Sequence, residues 1–414
     1  MNLVKTSFYT AISTAVTYLS GFVVTKVVAV KIGPAGMAYV GQFQNTTAIL
    51  ALLGIAAINS GVIKYLAQYR DEKEKQQQVI TTAISIILCA SLVISLFVVV
   101  FSQTLSKSIF HTEDLGIIFL LYGLFLILIS LNTLSLAILN VLKEIRKLTI
   151  INISASLVSL AFTVSFASIW GLKGVLLASS FAAIIIFGVN ITVLKRIKNI
   201  SFRPDFKNWN KEILFMLFAF SLMNIVSGIL APATQFSVRS YIIKNFSDQQ
   251  AGYWQAVTRI SDYYLGFITA VLSVYYLPRL SELKLKHELK HEILQGYKLI
   301  LPFAGLLALI IWFARELIIQ VLFTPTFLPM LPLFKFQLIG DFLKIGSWLL
   351  AYLMVSKAMI KTFIITEIIF SCSFVALSYW MMGQYGIIGA TYSFAINYGL
   401  YWISMWVLMK KHIR

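Results

Sequence analysis

From Gln78 to Phe101 the chain reads QVITTAISIILCASLVISLFVVVF, twenty-four residues without one charged side chain. Wound as a helix at 1.5 Å per residue, this stretch is about 36 Å long, enough to cross a hydrocarbon core of roughly 30 Å. Similar runs recur along all 414 residues, and only 12% of the chain is charged, about half the share typical of soluble domains. The runs are continuous rather than alternating, which excludes a membrane β-barrel. The pattern predicts an all-α polytopic membrane protein. About twelve helices are expected near 6–30, 37–66, 79–101, 115–142, 148–168, 174–194, 213–243, 249–278, 296–323, 330–356, 361–382 and 386–409. The first run follows Met1–Lys5 without a small-residue cleavage pattern and reads as a retained helix. Cys89 and Cys372 fall inside apolar runs, where they read as small core residues and imply no disulfide framework.

Outside the spans the cations are unevenly placed. Lys5, Lys64, Arg70, Lys143, Arg146, Lys195, Arg196, Arg203, Arg279, Lys284, Lys357, Lys361, Lys410 and their neighbours fall on one side. The opposite connections hold Lys31, Lys107, Lys173 and Lys244. The positive-inside rule then puts both termini and the longer connections in the cytoplasm. The net charge of +18 is explained by this asymmetry and by anionic lipid headgroups, without nucleic acid. The outer connections, such as KIGPAGM at 31–37 and TPTFLPM at 324–330, are too short for an external catalytic domain.

The two halves look duplicated. Trp170-Gly171-Leu172-Lys173-Gly174 matches Tyr385-Gly386-Ile387-Ile388-Gly389 at an offset of 215, and VLKRIK at 193–198 echoes LMKKHI at 408–413. This predicts an N-terminal six-helix bundle over 1–198, a basic cytoplasmic linker over 199–211 and a C-terminal six-helix bundle over 212–414. Six helices per repeat keeps both repeats in the same orientation, with the substrate path expected between them near midplane.

Two spans carry polar belts. Gln255, Arg259, Asp262 and Gly266 share one face of a helix, as do Gln337, Asp341, Lys344 and Trp348. Lys26, Arg239, Arg315, Lys335, Glu316 and Glu367 also lie within predicted spans. An ionised group at mid-membrane costs roughly 2.5–3.5 kcal/mol on insertion scales, so most of these must face water, a ligand or a partner. Arg259–Asp262 and Asp341–Lys344 are spaced i, i+3, which also suits structural ion pairs. The cations outnumber the anions, and a cavity they line would attract anions. Gln42, Gln44, Asn45, Asn59, Asn132, Asn190, Gln235 and Asn397 could bond sugar hydroxyls, but inter-helix hydrogen bonds explain each as well.

Other classes find little support. His287-Glu288-Leu289-Lys290-His291 matches H-E-x-x-H, the zinc-protease pattern. It sits in the charged connector KLKHELKHE with no evident third ligand, so no metal site is expected. A glycan polymerase would need a large external loop. No Walker A, G-x-S-x-G or Rossmann pattern occurs.

The stretches MNLVK…GFVVTKVVAVKIGPAGMAYVGQF, KYLAQYRDEKEK, ISDYYLGFITAVLSVYYLPRLSEL and FQLIGDFLKIGSWLLAYLMVSKA resemble Wzx-type translocases of lipid-linked oligosaccharides. These belong to the multidrug/oligosaccharidyl-lipid/polysaccharide exporter superfamily, and the likeness covers nearly the whole chain. It implies a V-shaped pair of bundles in the bacterial inner membrane and no enzymatic activity. The implied cargo is an undecaprenyl-pyrophosphate-linked glycan, either the lipid III of enterobacterial common antigen or an O-antigen unit. The glycan would move to the periplasmic leaflet by alternating access, as one step of surface-polysaccharide biosynthesis. Lys26, Arg239, Gln255, Arg259, Asp262, Arg315, Lys335, Gln337, Asp341 and Lys344 are the expected substrate-binding residues. Asp262, Asp341 and Glu367 are the candidates for H+ or Na+ coupling. Membrane lipids, a polymerase and a chain-length regulator are the expected partners of a monomer. The rival within the superfamily is a cation-coupled drug exporter.

Overall fold

The computed structural model describes residues 3–195, 211–219 and 221–413, with no strand among them. Except for Lys211, the predicted linker at 199–211 lies outside the described residues. Ten helices among those described have 23 or more residues: α1 (Leu3–Gly54), α3 (Lys73–Val100), α5 (Gly116–Val141), α6 (Ile145–Leu194), α8 (Ser221–Asn245), α9 (Asp248–Val271), α11 (Lys286–Leu322), α12 (Phe334–Ser356), α13 (Ile360–Tyr385) and α14 (Ile388–Ile413). Shorter helices are α2 (Asn59–Gln68), α4 (Ser102–Phe110), α7 (Lys211–Ala219) and α10 (Leu277–Glu282). By length and apolar composition, seven helical segments could each cross a membrane. Two of these, α1 and α6, are kinked at Gly33 and Gly171. Dividing them there turns ten long helices into twelve runs, the number expected from the apolar pattern.

The glycines at these breaks adopt backbone conformations that a side chain resists. Gly33 has φ 65°, ψ −168°, and Gly386 has φ 63°, ψ −155°. That region belongs essentially to glycine and costs another residue roughly 1–3 kcal/mol. A Cβ at Gly386 would meet nothing within 4 Å, so the penalty there is backbone strain alone. Gly386→Ala is expected to lower the thermal unfolding midpoint. Gly383→Ala, equally open but inside α13, should leave the midpoint unchanged or raise it.

The duplication extends to individual hydrogen bonds. Gly171 and Gly386 share their positive φ. After α5, Leu142 N, Lys143 N and Glu144 N donate to Ile138 O, Asn140 O and Leu139 O. After α12, Lys357 N, Ala358 N and Met359 N donate to Leu353 O, Val355 O and Met354 O. Every pair is displaced by 215, and Lys143 and Ala358 share a left-handed φ of 57° and 52°.

The chain forms two compact units that trade short segments. The first comprises Met1–Ile32 and Gln42–Pro232. Its core joins Ile58, Val62 and Leu66 to Ile80, Ile87, Ile138 and Leu217. The second comprises Gly33–Gly41 and Ala233–Arg414. Within it Ala38 packs into a core with Val238, Ile242, Trp254 and Phe394, and the Tyr39 hydroxyl donates to Asp248 Oδ2 at 2.9 Å.

Several expectations need correction. The helix expected over 37–66 stops at Gly54, where Ala56 and Ala57 take left-handed φ of 51° before α2 begins. The counterpart helix expected over 249–278 is present, but passes through a π-helical turn at Leu272–Tyr276 before ending at Glu282. The TPTFLPM connection is part of a 3-10 helix, Pro325–Leu333. Cys89 and Cys372 are exposed, not buried, because helices on the outside of a bundle accept any apolar side chain.

Candidate functional site in the second unit

The polar series of α9 and α12 meet at Asp341. A cap fixes the start of α9: the Ser247 side chain accepts from Gln250 N at 3.1 Å, and Asp248 sits in the positive first turn. Asp341 is 0% exposed. Its Oδ2 accepts from Ser261 Oγ at 2.6 Å and from the Tyr264 hydroxyl at 2.7 Å. Its Oδ1 accepts from Gln337 Nε2 at 3.3 Å, one turn earlier on α12. Hydroxyls and an amide thus solvate this carboxylate, which offsets the cost of burying it. The buried Gln337 Oε1 has no hydrogen-bond partner among the described residues.

Lys344, one turn further along α12, sits among aromatic faces. Its Nζ lies 4.9 Å from the Trp348 ring centre, 5.7 Å from Phe394 and 5.3 Å from Tyr398. Ring quadrupoles attract a cation at such distances. The rings of Phe394 and Tyr398 come from α14, which packs closely on α12 because Gly340 and Gly346 carry no side chain. A Cβ at Gly340 would drive into Phe394, and one at Gly346 would lie 2.7 Å from the Trp402 ring.

A second cation, the buried Arg239, lies on α8. Arg239 is 2% exposed, donates to Gln255 Oε1 and stands 5.5 Å from the Trp254 ring centre. Gly41 faces this pair: a Cβ there would lie 2.7 Å from Gln255 Cδ and 2.8 Å from Arg239 Cζ. Gly41→Ala should therefore force the pair apart. A loss of about 1–3 kcal/mol is expected for such overpacking, read as a lower unfolding midpoint of purified protein.

The other expected site residues are placed as follows. Arg259 is half-buried, 5.5 Å from the Tyr263 ring centre, and Asp262 is exposed. Arg315 donates to Trp312 O at 2.6 Å and lies 4.1 Å from that ring centre. Lys335 is exposed beside Phe336. Glu367 is half-buried on α13, and Lys26 is half-buried on α1 in the first unit. The sequence pattern missed Ser261, Tyr264, Phe394 and Tyr398. Ser261 and Tyr264 are spaced i, i+3, so both turn toward α12 while Asp262 between them turns away.

The H-E-x-x-H stretch occupies the first two turns of α11. His287 and His291 are exposed, and His291 Nε2 lies 2.7 Å from Gln295 Nε2. Among the described residues no group of three His, Cys, Asp or Glu could hold a metal ion.

Helices throughout the described residues, several of them apolar and long enough to cross a bilayer, with a buried carboxylate and a buried cation on them, describe a polytopic membrane protein. The family model described as "Polysaccharide biosynthesis protein" matches residues 3–284, and the chain belongs to this family. It is 30% identical over 404 residues to the lipid III flippase of Escherichia coli (strain K12), covering 97% of this chain and 96% of that protein. It is 25% identical over 431 residues to a putative O-antigen transporter of Shigella flexneri, covering 96% and 95%. Among solved structures it is similar to an inward-facing multidrug resistance MATE family transporter of the MOP superfamily. That likeness has a TM-score of 0.81 at 15% identity, covers 96% and 94% of the two chains, and establishes the fold. The Wzx-type resemblance and the reading as a transporter rather than an enzyme both stand.

Proposed function

We propose that this protein translocates an undecaprenyl-diphosphate-linked oligosaccharide from the cytoplasmic to the periplasmic leaflet of a bacterial inner membrane. Lipid III or an O-antigen unit is the cargo, and alternating access coupled to H+ or Na+ is the mechanism. The observation that carries this reading is the full-length likeness to a lipid III flippase. A diphosphate and several sugars cannot cross hydrocarbon unaided, so their carrier must supply polar groups within the membrane. Lys344 and Arg239 suit the diphosphate, and the prenyl chain can remain in lipid. Asp341 suits coupling, because a carboxylate held by neutral hydroxyls and an amide can accept a proton or Na+ without first breaking an ion pair. Cationic drugs would meet buried cations here, which disfavours the drug-exporter reading. The test is expression in an Escherichia coli strain lacking its own lipid III flippase. Restored surface glycan, with loss of the accumulated lipid-linked intermediate, is the expected outcome. Unchanged accumulation would overturn the assignment of cargo.

A further inference from the structure

The first unit contains a polar cleft that the charged cluster does not explain. Its volume is about 490 Å³, within the roughly 300–1,000 Å³ usual for ligand sites. Ser13 and Thr14 of α1, Asn59 of α2, Asn140 at the end of α5 and Asn152 of α6 contribute to its lining. None of its lining residues is charged. Among the described residues, the side chains of these five make no hydrogen bond to another group. Each Asn amide can make about four such bonds, so the cleft presents a dense array of unused donors and acceptors.

Inter-helix hydrogen bonding takes a different form in the same unit. Asn190 is 0% exposed, and its Nδ2 donates to Asn132 Oδ1. There one amide donates to another inside the bundle, although the buried Asn190 Oδ1 has no partner among the described residues. In the cleft the amides point into open space. Leu136 and Leu148 line it as well, giving apolar surface next to the polar atoms. Hydroxyl-bearing edges and C–H faces are the two surfaces of a pyranose ring, and this lining complements both. The cleft also lies at the end of the unit near Lys64, Lys143 and Arg146, the cytoplasmic end on the charge asymmetry.

We propose that this cleft binds neutral sugar rings of the glycan, a site distinct from the cations that suit the diphosphate. The proposal rests on the lipid-linked-glycan reading of function. The test is saturation-transfer NMR on the full chain in lipid nanodiscs free of maltoside detergent, with maltose and N,N′-diacetylchitobiose as probes. Wild-type protein and Asp341→Asn are expected to give disaccharide signals. Asn59→Leu combined with Asn152→Leu should weaken binding about fivefold or more per lost side chain. If that pair does not elute as a folded monodisperse species, Ser13→Ala with Thr14→Val supplies the same comparison. No signal from wild type, or equal signals from cleft variants and wild type, would overturn the proposal. Export in the flippase-deficient strain without sugar binding would refute the cleft alone. Sugar binding without export would refute the flippase reading alone.

Discussion

Asp341→Asn is expected to slow glycan export about a hundredfold while leaving a folded protein. Asn keeps the volume and can still accept from Ser261, Tyr264 or Gln337, which bond the carboxylate at 2.6, 2.7 and 3.3 Å. It cannot change charge. Hydrogen bonds to a charged acceptor are worth about 1.5–3 kcal/mol, and about 1.4 kcal/mol is tenfold in rate. A fall on the order of a hundredfold is therefore expected, read as the initial rate of export at equal protein level. Asp341→Ala differs in kind. It leaves two hydroxyls and an amide without their acceptor at about 1–3 kcal/mol each, so it should unfold well below wild type. If Asp341→Asn exports normally, this carboxylate is structural.

Lys344→Met is the second large effect. Met preserves an unbranched chain and favourable contact with Trp348, Phe394 and Tyr398, so the α12–α14 packing should survive. The charge is lost. Affinity for a short-chain prenyl diphosphate probe is expected to fall about tenfold, equivalent to roughly 1.4 kcal/mol. The residual binding should also depend less on ionic strength. Unchanged affinity with a lowered unfolding midpoint would mean that Lys344 only braces the two helices.

These residues show what a sequence reveals and what it conceals. Apolar runs such as Gln78–Phe101 expose the helices directly, because a membrane span must be both long and apolar. The Gly171 and Gly386 match was legible as well, since only glycine tolerates those breaks. The stop before Ala56–Ala57 and the π-helical turn at Leu272–Tyr276 do have local marks, Gly54 and Pro278, but neither residue type by itself says which irregularity follows. In the site, Asp341 and Lys344 stood out because charge is costly in a span. Ser261, Tyr264, Phe394 and Tyr398 did not, being unremarkable membrane-helix residues until α9 and α14 bring them against α12. Asp262, the most conspicuous charge on α9, is exposed, while its neighbours one before and two after hold the buried carboxylate.

If this chain itself moves a lipid-linked glycan between leaflets through a site organised by Asp341, the movement can be followed with purified protein. The most direct measurement reconstitutes purified protein into vesicles carrying a fluorescent undecaprenyl-diphosphate oligosaccharide and follows its accessibility to a membrane-impermeant quencher. Wild-type protein should redistribute the probe between leaflets faster than empty vesicles, and Asp341→Asn should match the empty vesicles. Redistribution no faster than in empty vesicles for wild type would mean that this chain does not move the glycan, and equally fast redistribution for Asp341→Asn would mean that Asp341 does not organise the site.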